Sequence, residues 1–87
     1  MKNYNLFTNW LEIELTDKTL AETLRLLNEA CGTSYKHNWP SKMAAADYTL
    51  ERLPKEVRKY MMNKVLPVLT KQGYTKKELK DIVDGLT

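Results

Sequence analysis

Between Thr19 and Gly32 the chain specifies both ends of one helix, and this constrains the fold more than any other stretch. Thr19-Leu20-Ala21-Glu22 is a capping box, a hydroxyl followed three residues later by a carboxylate. Each group can satisfy a backbone N–H that the first helical turn leaves without a partner. Asp17 and Glu22 add negative charge where the helix dipole favours it. Leu20, Leu24, Leu27 and Cys31 then recur at helical spacing, and Gly32 supplies the left-handed stop. A second box, Thr75-Lys76-Lys77-Glu78, opens another apolar series of Leu79, Ile82, Val83 and Leu86.

The rest of the chain follows the same period. Leu6, Trp10 and Ile13 space a helix over Asn5 to Leu15, although the alternation of Leu11-Glu12-Ile13-Glu14-Leu15 also fits a short strand. Tyr35, Trp39 and Met43 lie four apart. Thr33 or Ser34 can cap a helix that ends near Trp39, or a fresh helix can begin with Pro40 in its first turn. Asp47 to Leu53 reads as a loop. Pro54 opens a helix through Val57, Tyr60, Met61 and Val65, which Pro67 is expected to kink or end before Gly73. The prediction is a single all-α domain over residues 1–87, a compact bundle of five or six short helices.

Composition narrows the class. The 43% hydrophobic share is too high for a disordered chain. Apolar runs extend only a few residues, as in Met43-Ala44-Ala45-Ala46, against the ~20 that a membrane span needs. The start, Met1-Lys2-Asn3-Tyr4-Asn5, lacks a signal-peptide pattern, and the single Cys31 cannot form an internal disulfide. The expectation is a cytoplasmic protein without membrane attachment. Net charge is +3 overall, but residues 1–32 carry −2, residues 33–64 carry +4 and residues 65–87 carry +1. A positive middle segment can meet phosphate.

No catalytic or metal-ligating pattern appears. A Cys31/His37 pair would need spatial adjacency and an orienting group to act as a nucleophile. Two such residues cannot supply the four ligands of structural zinc. Glycine patterns that cradle phosphate are absent. The expectation is therefore neither an enzyme nor a cofactor-binding protein.

What remains is the turn at Gly32. A capped helix ends there, and Thr33-Ser34 opens an element dense in groups able to reach bases or phosphates: Ser34, Lys36, His37, Asn38, Ser41 and Lys42. First helix, glycine turn and polar second helix is the order of a helix-turn-helix. Asn can pair with adenine, Lys can donate to guanine, and hydroxyls can serve either. Arg58, one turn beyond Pro54, can reach flanking phosphate.

Thr19 to Gly32, Thr33–Lys42 and Leu53-Pro54-Lys55-Glu56-Val57-Arg58 together resemble the Cro/lambda-repressor-like helix-turn-helix regulators of phages and plasmids, over about residues 15–66. The chain departs from that pattern at Asn28, where a small residue is usual, and at Pro40 inside the second helix. The resemblance implies a homodimer on double-stranded DNA that regulates transcription, with repression the expected sign. The helix after Gly32 would read the major groove through Thr33, Ser34, Tyr35, Lys36, His37, Asn38, Ser41 and Lys42, with Arg58 beside them.

Each of these residues has a plainer reading. Tyr35 and Trp39 fit a packed core stripe, and His37, Lys36, Lys42 and Arg58 fit ordinary surface positions. Asn38 can cap a turn. Leu79, Ile82, Val83 and Leu86 can form the inner face of the last helix or meet a second subunit. The alternative function is a small protein-interaction module, such as a phage-encoded inhibitor of a host protein, anchored by Tyr35, Trp39, Tyr48 and Tyr60.

Overall fold

The computed structural model describes residues 5–49 and 52–86, apart from the Leu86 side chain. Its part in the inner face of the last helix, like the chain start at residues 1–4, lies outside the described residues. Five helices follow in order: α1 (Leu6–Glu14), α2 (Leu20–Cys31), α3 (Trp39–Ala45), α4 (Lys55–Lys71) and α5 (Lys76–Leu86). The described residues contain no strand, so Leu11 to Glu14 is helical.

The helix ends are formed by the residues that specify them. Asn5 Oδ1 accepts from Thr8 N–H at 3.1 Å to start α1, and Thr19 Oγ1 accepts from Glu22 N–H at 3.2 Å to start α2. The Thr75 box closes in both directions, Glu78 N–H to Thr75 Oγ1 at 3.2 Å and Thr75 N–H to Glu78 Oε1 at 3.0 Å. Gly32 ends α2 in the left-handed region at φ 66°, donating its N–H to the Asn28 carbonyl.

Helix α4 is the central element, packing most extensively on α1 and also on α2 and α5. Its Val57, Met61, Val65 and Leu69 are all buried and four apart, one stripe along the helix. Leu6, Phe7 and Trp10 of α1, Leu24 and Leu27 of α2, and Trp39 and Met43 of α3 close around it. Helix α5 is attached more loosely, since Leu79, Ile82 and Val83 are only half-buried.

Pro67 does not end α4, which continues to Lys71. A proline removes the hydrogen bond to the carbonyl four residues back, here Asn63. Asn63 and Pro67 are both exposed, so water can serve that carbonyl and the helix tolerates the gap.

Asp47 and Tyr48 both adopt the left-handed region, at φ 56° and 54°. For a bulky residue such as tyrosine this conformation is strained. Tyr48 is held there by its N–H to the Met43 carbonyl at 2.8 Å and by its ring stacked against Phe7 at 6.0 Å.

Candidate nucleic-acid interface

Seven residues, Gly32 to Asn38, connect α2 to α3. The helix foreseen from a Thr33 or Ser34 cap is therefore not formed, and Thr33 to Asn38 make a loop. Of the two alternatives at Pro40, the structure takes the second. Pro40 lies in the first turn of α3, where its missing N–H would have no intrahelical partner anyway. The short turn and uninterrupted second helix of a helix-turn-helix are replaced here by a longer loop and a helix of 7 residues.

Asn28 sets the shape of this loop. From the outer part of α2 its Oδ1 accepts from Thr33 Oγ1 at 2.8 Å and from Tyr35 N–H at 2.9 Å. Its Nδ2 donates to the Tyr35 carbonyl at 3.0 Å. One side chain thus replaces the backbone pairing that an irregular loop otherwise lacks. Sequence reading missed this role. The available signal was an amide at Asn28, where the resembled family has a small side chain.

Tyr35 completes the hold. Its ring lies on Trp39 at 3.6 Å with only 6° between the planes, and Trp39 and Phe7 meet edge to face with ring centres 5.0 Å apart. Burial, and next the nearby Cys31, raise the Tyr35 hydroxyl above its ordinary value. Tyr35 is thus half-buried packing, in line with its plainer reading.

The other candidates separate cleanly. Thr33 turns inward to Asn28, whereas Ser34, Lys36, His37 and Asn38 are exposed along the loop. Ser41 and Lys42 are exposed on α3 and are the only members of the predicted set that sit on that helix. Arg58 is half-buried on α4. The result is a polar outer edge and an aromatic inner edge on one short segment.

Beside the loop runs an open groove of about 510 Å³ whose far wall is α2. Ala21, Leu24 and Tyr35 supply its apolar surface, and Arg25, Lys36 and His37 supply cationic or hydrogen-bonding groups. Arg25 is bridged to Glu29 at 3.1 Å.

Cys31 donates to the Glu56 carbonyl at 3.8 Å, and burial, then the Glu56 charge, push its thiol pKa up. It behaves as a packing thiol. Among the described residues no group of three His, Cys, Asp or Glu side chains could hold a metal, and no helix is long and apolar enough to cross a membrane. Comparison with protein families, with curated proteins and with solved structures returned no match.

Proposed function

We propose that this chain is a regulator that binds double-stranded DNA, a phage- or plasmid-type repressor, through the Ser34–Lys42 edge. One observation carries the reading. Ser34, Lys36, His37 and Asn38 face solvent from a loop that Asn28 and Trp39 anchor at Tyr35, and Ser41 and Lys42 face solvent from α3 beside it. A loop backbone already ordered loses little freedom on meeting phosphate and base edges.

The surrounding segment 33–64 carries +4, which favours approach to a polyanion. Most of the proposed contact surface is a loop, with Ser41 and Lys42 on α3 beside it. On this reading the loop residues would hold the phosphate backbone, and Asn38 and Ser41 carry the groups that can pair with bases.

The protein-interaction alternative loses its main support. Trp39 is buried, and Tyr35, Tyr48 and Tyr60 pack against the core, so the aromatic anchors are used internally.

The test is Lys36→Ala with Lys42→Ala, after circular dichroism confirms the fold. Removing two phosphate contacts should reduce the slope of log affinity against log salt by about two. A slope equal to the parent's would show that these lysines do not touch DNA.

A further inference from the structure

We infer that α3 is a latched strap: pivoting at Trp39, residues 40–48 release from α1 as one unit while the packing of α1, α2 and α4 stays intact. Ser41 and Lys42, both on α3, travel with it. The inference concerns the fold's own motion and stands whether or not the chain binds DNA.

The way the helices close carries the argument. At the end of α4, Gly73 N–H donates to the Thr70 carbonyl and Tyr74 N–H to the Leu69 carbonyl, both at 3.1 Å. Gly73 takes the left-handed position there, at φ 95°, as Gly32 does after α2. Helix α3 ends on the same pair of bonds, Asp47 N–H to the Ala44 carbonyl at 3.0 Å and Tyr48 N–H to the Met43 carbonyl at 2.8 Å. Here the left-handed positions fall on Asp47 and Tyr48, at φ 56° and 54°. Among the described residues these are the only two outside glycine with positive φ. Glycine enters that region freely, aspartate less readily, and tyrosine against its own Cβ.

Two side chains hold the strained turn shut. The Tyr48 ring stacks on the buried Phe7 of α1 at 6.0 Å, and Met43 is buried in the core. The rest of α3 adds little. It has 7 residues, Asn38 makes no side-chain capping bond, and Met43 is its only buried residue after Trp39. A segment with so few buried apolar groups opens at a lower free energy than the core. Strained backbone that persists only because surrounding contacts enforce it is a feature of switch regions.

Trp39 is placed differently. Its ring has Tyr35 on one face at 3.6 Å, with Phe7 at 5.0 Å and Trp10 at 6.4 Å. It stays while the residues after it leave, which makes it the pivot. Release then withdraws only Met43 and Tyr48 from the core, and the strain at Asp47 and Tyr48 relaxes as they go. So short a helix does not persist in water without tertiary contact, so its amides report the release.

The test is native-state amide hydrogen exchange of the full chain, followed by NMR in rising sub-denaturing urea. The reporters are the hydrogen-bonded N–H groups of Lys42, Ala46, Asp47 and Tyr48, compared with Met61 and Val65 on the buried stripe of α4. The four should share one opening equilibrium, nearly independent of urea, and exchange at least about a hundredfold faster than the α4 pair after correction for intrinsic rates. Asp47→Gly relaxes the turn and should slow the four by about threefold to tenfold. Tyr48→Leu keeps the left-handed strain, loses the ring stacking and should speed them by about tenfold.

Three results would overturn the inference. If the four amides follow the urea dependence of Met61 and Val65, α3 opens only when the whole protein unfolds. If protection falls stepwise from Lys42 to Tyr48, the end of the helix frays and there is no unit. If Asp47→Gly leaves exchange unchanged or faster, the turn stores no strain to drive release.

Discussion

Replacing Asn28 by alanine removes three hydrogen bonds at once. Thr33 Oγ1, Tyr35 N–H and the Tyr35 carbonyl all lose their partner, while little apolar volume changes. A typical intramolecular bond contributes a net ~0.5–1.5 kcal/mol. Asn28 is only half-buried, so water recovers part of the loss. The expected cost is about 2 kcal/mol, a large share of the ~4–13 kcal/mol available to a chain of this size. Asn28→Asp keeps the acceptor for both donors but sets a carboxylate oxygen against the Tyr35 carbonyl, so it should not restore the parent's stability. Urea unfolding followed by tryptophan fluorescence suits the question, since Trp39 stacks directly on Tyr35. With a slope of about 1 kcal/mol per molar, the Asn28→Ala midpoint should fall by about 2 M. A change below about 0.5 kcal/mol, the usual range for a plain surface substitution, would refute the claim that Asn28 holds the loop.

Further predictions follow from the same geometry. Gly32→Ala meets no steric obstacle but must keep φ near 66°, so it should cost about 1–2 kcal/mol in thermal or urea unfolding; a neutral result would mean that α2 ends differently. Leu27→Ala deletes a fully buried side chain and should cost about 2–5 kcal/mol, read as a lowered melting temperature by circular dichroism; an unchanged melting temperature would mean that Leu27 is not part of the core. The backbone and side-chain bonds to Thr75 lower the Glu78 pKa below 4.5, so its contribution is present above 4.5 and lost as pH falls through the native value. Glu78→Gln should therefore destabilise the protein more at pH 7 than at pH 3; equal effects at both would mean that the charged cap contributes nothing.

Legibility in the sequence followed the locality of the signal. Thr19, Gly32 and Thr75 act within one helical turn, so the ends of α2 and the start of α5 could be read directly, and both are formed. The core stripe of α4 was equally open because Val57, Met61 and Val65 carry the period themselves. Three features depended on more distant or exposed surroundings. Leu11 to Glu14 fitted strand and helix alike, and packing of α1 on α4, with Trp10 and Glu14 both buried, selected helix. Pro67 marked a break that its exposed position made tolerable. Tyr35, Trp39 and Met43 shared a helical spacing, yet Tyr35 reaches Trp39 from a loop that Asn28 holds from another helix. The exposed residues of the candidate interface were identifiable as polar, but their arrangement along a loop required that contact across seven positions.

The most direct test of the proposed function is fluorescence anisotropy of a labelled DNA duplex titrated with this chain at about 50 and 200 mM salt. The exposed Lys36 and Lys42 edge, within a segment of net charge +4, predicts binding that weakens about tenfold or more between those conditions. No binding even at the lower salt would contradict the DNA reading, because phosphate contact is strongest there.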